Sequence, residues 1–156
     1  LNNEMDDFTA RPGKPNLFGL IQGASNAVAP GKRPLSSMSP TVLLDSAGSV
    51  RAVLGTPGGP TIITNVFQVL LALTKLGLSP ESSVTAPKIH HQCLPDRLTL
   101  EVAIPSSTAR TLETFGHTIA RRSAMGDVQL IASAPGRGLV GVCDPRGGGG
   151  VCYTDR

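Results

Sequence analysis

The chain has almost no large aromatic surface: no tryptophan, one tyrosine and four phenylalanines among 156 residues. Single-stranded nucleic acids are held on aromatic platforms interleaved with cations. Here the basic residues are scattered, Lys32-Arg33 and Arg121-Arg122 being the closest clusters. A formal charge of +3 spread in this way makes no nucleic-acid surface, and no nucleic-acid partner is expected. Charge is sparse as well, 16% against 40% hydrophobic residues, which excludes disorder throughout. Long apolar runs are missing. The longest, residues 66–78, is broken by Gln68, Thr74, Lys75 and Gly77 and falls short of a membrane span. Cysteine is confined to Cys93, Cys143 and Cys152, an odd set without C-x-x-C spacing. Cys143 and Cys152 could pair, although separate thiols are the simpler reading. Neither an initiating methionine nor a basic-then-apolar leader opens the sequence at Leu1, so the chain reads as a processed product or a fragment.

What is abundant is glycine and proline, 18 and 13 residues, about a fifth of the chain, so turns must be frequent and long helices few. Residues 1–40 have loop composition, with apolar positions too sparse for either period. Residues 41–44 and 50–54 bracket Asp45-Ser46-Ala47-Gly48 and predict a hairpin. Ile62, Ile63, Val66, Phe67, Val69, Leu70, Leu73 and Leu76 recur at three and four residues and predict one well-buried helix ended by Gly77. Ser79-Pro80-Glu81 reads as the start of a short second helix that stops before Pro87. Further on, residues 98–104 read as a strand, 106–115 as a helix stopped by Gly116, and 128–132 with 139–142 as a second hairpin. The order ββααβαββ, with antiparallel hairpins, gives an α+β fold without a doubly wound parallel sheet. Residues 1–146 make one domain portion, and the glycine-rich tail 147–156 is expected to be loose.

Three segments carry chemistry. Glu4, Asp6 and Asp7 sit within four residues of loop. Like charges so close favour a bound cation, and the calcium-loop pattern is absent, so the alternatives are an ammonium site or a solvated acidic loop. Ser36, Ser37 and Ser39 lie on the stiff, proline-bounded segment PGKRPLSSMSPT at 30–41. Their hydroxyls could hold a carboxylate or phosphate, or simply close local turns. No G-x-S-x-G surrounds them, which argues against a serine hydrolase. Gly58-Gly59 precede the long helix, where backbone N–H groups and the helix dipole suit an oxyanion; a plain tight turn is the other reading. His90-His91 with Cys93 lack a fourth ligand at zinc spacing, so no metal site is expected. His117, just past a helix end, reads as a surface residue.

LNNEMDDF at 1–8, PGKRPLSSMSPT at 30–41, LGTPGGPTIIT at 54–64, APKIHHQCLPD at 86–96 and CDPR at 143–146 together closely resemble the gamma-glutamyltransferases (gamma-glutamyltranspeptidases). The blocks run in that family's order and correspond to most of its small, C-terminal subunit. The resemblance implies a partial αββα sandwich of the N-terminal-nucleophile hydrolase type, cut from a self-cleaving precursor and paired with a large subunit. It implies transfer of the gamma-glutamyl group of glutathione or related amides to water or to amino acid and peptide acceptors, through a threonyl acyl-enzyme and with no cofactor. By the same resemblance Asp7, helped by Glu4, grips the substrate ammonium, Ser36 and Ser37 bind its carboxylate, and the N–H groups of Gly58 and Gly59 form the oxyanion hole. A periplasmic or extracellular location is implied. His90 and His91 belong to the pattern without an assigned role.

The family's threonine precedes the LNNEMDDF block and has no counterpart in these residues, so the chain alone is expected to be inactive. The large subunit's arginine, expected at the substrate carboxylate, is likewise outside it. After CDPR the family closes on small and aromatic residues, whereas 147–156 depart from that pattern. Two alternatives accompany this reading. A cephalosporin or glutaryl acylase shares the fold but leaves an amine-gripping Asp7 without a partner, and a non-catalytic light-chain-like remnant would need no threonine.

Overall fold

The computed structural model describes residues 4–151. Seven strands and three α-helices follow a loop-rich first quarter. Strand β1 (Thr41–Leu44) and β2 (Val50–Gly55) form the first hairpin, and Asp45 Oδ1 closes its turn by accepting from Ala47 N and Ser49 N at 2.9 and 2.8 Å. Helix α1 (Thr61–Thr74) and α2 (Pro80–Thr85) come next, α2 capped by Ser79 Oγ, which accepts from Ser82 N. Then follow β3 (Ile89–His90), β4 (Leu98–Glu101), α3 (Ser106–Thr114), β5 (Ile119–Arg122), β6 (Gln129–Ala134) and β7 (Gly138–Cys143).

The strands make two sheets. The larger is antiparallel throughout, in the order β1-β2-β6-β7, and the smaller runs β3-β4-β5 with β4 and β5 parallel. In the larger sheet Leu43, Ala52, Ala132 and Val140 stand in one cross-strand row. Since side chains alternate between faces, this row points to the core with Leu54, Leu130 and Val142, under Ile62, Val66 and Val69 of α1 and Val84 of α2. The next row, Val42, Val53 and Ile131, faces outward and is 41–59% exposed. Residues 147–151 run over part of that outer face: a Cβ at Gly141 would meet Val151, and one at Gly149 would meet Gln129 and Cys143.

Four expectations are corrected. The order is ββααββαβββ, because β3 and β5 exist only as partners of β4. The strand expected over 98–104 ends at Glu101, where its ladder stops, and α3 begins five residues later at Ser106. Helix α1 ends at Thr74, with Leu76 exposed and Gly77 at φ +64 reversing the chain. Its buried stripe is Ile62, Asn65, Val66, Val69 and Ala72, while Ile63 and Phe67 of the expected core face outward. Cys152, and with it the Cys143–Cys152 pairing, lies outside the described residues; among the described residues Cys93 and Cys143 form no disulfide.

A buried charge cluster ties the two sheets together. Arg146 sends Nε and Nη2 to the two oxygens of Glu101 at 2.8 and 2.7 Å, and Nη1 to Asp144 Oδ1 at 2.8 Å. Its Nη groups also donate to the carbonyls of Val84, Thr85 and Ala86 at the end of α2. Glu101 further accepts from Lys88 N and Met125 N, and Asp144 from Val128 N. Burial alone would push both carboxyls up. The Arg146 guanidinium and these backbone N–H groups outweigh it and hold both below the ordinary carboxylate range. Lys88 Nζ stands 3.6 Å from Asp144 Oδ2 and donates to Val84 O at 2.6 Å. Desolvation, then repulsion from Arg146, nevertheless presses its ammonium below its usual value.

Candidate active site

Asp7 ends a single 3-10 turn, Glu4–Asp7. That turn is anchored by the buried amide of Asn26, whose Nδ2 donates to Asp7 O at 2.8 Å and to Gln22 Oε1 at 3.1 Å. Its Oδ1 accepts from Leu35 N at 2.9 Å. One side chain thus fixes the acidic loop to the serine-bearing segment, one residue ahead of Ser36. Thr9 N reinforces this by donating to Asn26 O at 2.9 Å. Asp7 is half-buried and Asp6 exposed, while the side chain of Glu4 lies outside the described residues.

The glycine pair is placed by the start of α1. Thr61 N and Ile62 N donate back to the carbonyls of Gly58 and Gly59 at 3.2 and 3.1 Å. Gly58 and Gly59 have φ of +140 and +56, conformations that side chains rarely adopt. Among the described residues neither of their N–H groups has an acceptor. A Cβ on Gly58 would collide with Thr61 Oγ1, and one on Gly59 would lie 2.7 Å from the Phe18 ring. The Phe18 ring is therefore packed directly on Gly59.

Asp7, Ser37, Gly58 and Gly59 line one cavity of about 730 Å³, walled by Phe8, Phe18 and Ile62 among others. Ser36 is exposed and not among the lining residues; its Oγ accepts from Met38 N at 3.1 Å. Arg11 and Lys14 also line the cavity. Neither they nor Phe18 and Asn26 were singled out by sequence. The one local signal is the rarity of aromatics, which makes a phenylalanine in a loop of Asn, Gly and Pro conspicuous. A carboxylate, a hydroxyl and two unpaired N–H groups can receive, respectively, an ammonium, a carboxylate and a developing oxyanion. His90 and His91 diverge, one buried and one exposed, and no cluster of metal ligands occurs among the described residues.

Helices on one face of an antiparallel sheet, with catalytic-type loops at the helix start, form a partial αββα sandwich of the N-terminal-nucleophile hydrolase type. Within that class the chain belongs to the gamma-glutamyltranspeptidase family, whose family model matches residues 1–154. It is 47% identical over 146 residues to a glutathione hydrolase proenzyme of Escherichia coli, covering 94% of this chain and 25% of that protein. A glutathione hydrolase proenzyme of Pseudomonas aeruginosa is 43% identical over 153 residues, covering 96% and 27%. The crystal structure of a Helicobacter pylori gamma-glutamyltranspeptidase variant superposes with a TM-score of 0.86 at 44% identity, covering 94% of this chain and 81% of that one. The chain thus spans about a quarter of the length of these curated relatives.

Proposed function

We propose that this chain supplies the gamma-glutamyl pocket and oxyanion hole of a gamma-glutamyltransferase acting on glutathione and related amides. The observation that carries this reading is that Asp7, Ser37, Gly58 and Gly59 line one cavity, the two glycine N–H groups having no acceptor among the described residues. Asp7, assisted by Glu4, pairs with the alpha-ammonium group, Ser36 and Ser37 take the alpha-carboxylate, and the glycine N–H groups receive the carbonyl oxygen as it becomes an oxyanion. Donors aimed at the charge that develops in the transition state lower the barrier more than they tighten binding. The attacking threonine is assigned to sequence outside these 156 residues, and the acyl group leaves to water or to an amine acceptor.

The large subunit is the proposed partner. Its support is the exposed apolar row Val42, Val53 and Ile131, since a sheet face of that kind is covered in a layered fold. A periplasmic or extracellular site of action goes with the same proposal. The acylase alternative leaves Asp7 facing no cation, because a glutaryl group has no ammonium.

The test uses the complete precursor, matured to two chains, and a gamma-glutamyl anilide. Asp7→Ala removes one partner of a desolvated charge pair, at a cost of about 2 kcal/mol or more, so kcat/KM should fall ~30-fold or further, mainly through KM. An unchanged kcat/KM in Asp7→Ala would remove Asp7 from the pocket and the gamma-glutamyl reading with it.

A further inference from the structure

His90 is 7% exposed, and both of its ring nitrogens are engaged. Nδ1 lies 2.9 Å from Thr64 Oγ1 of α1, and Nε2 lies 2.8 Å from Gln92 Oε1. The amide of Gln92 decides where the ring hydrogen sits. Its Nε2 donates to the carbonyls of Phe18 at 2.8 Å and Leu94 at 3.1 Å. Oε1 therefore faces the imidazole as an acceptor and His90 Nε2 donates to it, while Nδ1 bonds Thr64 Oγ1, whose hydroxyl also reaches Thr61 O at 3.1 Å. The relay begins on the helix that follows Gly58-Gly59 and ends on the backbone of Phe18, 74 residues before Gln92 in sequence.

Phe18 otherwise belongs to a self-contained turn, in which Asn16 Oδ1 accepts from Phe18 N and Leu20 N, both at 3.0 Å. The polar tie from this turn to the body of the protein comes from Gln92, beside a packing contact in which a Cβ on Gly19 would lie 3.0 Å from Pro95. The ring that this tie positions is the one packed against Gly59.

We infer that Gln92, oriented by His90, is a positioning residue of the oxyanion site: it fixes Phe18 over Gly59 and so keeps water away from that N–H. The inference rests on the gamma-glutamyl reading above. An N–H shielded from water stabilises an oxyanion more strongly than a hydrated one. Gln92 touches neither substrate nor reacting atoms in this scheme and acts only through Phe18.

The test compares Gln92→Glu, Phe18→Ala and their double variant in the complete two-chain enzyme, with kcat, KM and a melting curve for each. A glutamate can still accept from His90 Nε2 but presents an oxygen to the Phe18 carbonyl, so it cuts the tie while sparing the histidine bond. Gln92→Glu should lower kcat about tenfold with a smaller change in KM, short of the ~10²- to 10³-fold loss of a whole donor. Phe18→Ala should do the same, and the double variant should fall no further, because contacts acting through one group are not additive. Should Gln92→Glu fail to fold, Gln92→Met, of similar volume and with neither bond, takes its place with the same expectation. Multiplicative losses in the double variant, or a lowered melting point with kcat intact, would overturn the relay. The two readings separate cleanly. An unmutated enzyme inactive on the anilide defeats the gamma-glutamyl assignment, whereas an active one indifferent to Gln92 defeats only this inference.

Discussion

Replacing Arg146 by alanine should be far more damaging than its position near the end of the described chain would imply. The guanidinium is the common donor for two carboxylates that are 2% and 1% exposed, and it caps three carbonyls at the end of α2. Its removal leaves Glu101 and Asp144 buried with Lys88 alone for compensation, and Lys88 Nζ stands 3.6 Å from Asp144. Breaking a buried pair by deleting one partner costs about 3–5 kcal/mol. Arg146→Lys restores a charge but cannot span both Glu101 oxygens, so it should fall between the two. The assay is urea unfolding of the mature protein at pH 7 and again at acidic pH. Because both carboxyls are held below their ordinary values of 4.5 and 3.8, the stability they contribute is complete above those values. It is lost as pH falls through their lower folded values. The gap between the native protein and Arg146→Ala should therefore narrow below about pH 4. A loss under ~1 kcal/mol, the scale of a surface pair, or a gap that persists undiminished in acid, would refute this account.

Two further outcomes concern the pocket. Gly59→Ala places a methyl at φ +56 against the Phe18 ring, with a backbone cost of about 1–2 kcal/mol. If the N–H is displaced, kcat should drop by ~10²- to 10³-fold with little change in KM, and active-site titration beside a melting curve distinguishes this from a destabilised variant that is fully active once folded. Asn26→Asp keeps the acceptor for Leu35 N but replaces the donor to Asp7 O; steady-state kinetics should show KM rising while kcat holds, and an unaltered KM would free the acidic loop from its dependence on Asn26.

Local chemistry made part of this fold readable. The 41–54 hairpin announces itself through Asp45, whose carboxylate closes the turn, and α2 through the Ser79 cap ahead of Pro80. Periodicity located α1 but counted both of its faces, since Ile63 and Phe67 satisfy the same spacing as Ile62 and Val66 and only the sheet decides which pair is covered. Strands β3 and β5 escaped for a different reason. Two residues, and Ile-Ala-Arg-Arg, carry no alternation of their own and become strands through pairing with β4. Glu101 was the one available hint of the charge cluster, an acid inside an apolar strand. Its partners stand 13 and 45 residues away, beyond any local pattern. Within the pocket, the acid, the hydroxyl and the glycines could be chosen by chemical type, whereas Phe18 and Asn26 depend on how the loops cross.

The capping of α2 by Arg146 also bears on the order in which the molecule can be assembled on the ribosome. The carbonyls of Val84, Thr85 and Ala86 find their donor about sixty residues later in the chain. At roughly 5–20 residues per second, that donor is made some 3–12 seconds after the helix it completes. Throughout that interval the six residues of α2 have a serine cap and the preceding helix α1 beside them but neither β6, β7 nor Arg146, which is little support for so short a helix in water. The layer over the larger sheet must therefore close last, as β7 and Arg146 arrive, and a nascent chain stalled before Arg146 should expose this region to proteases and chaperones.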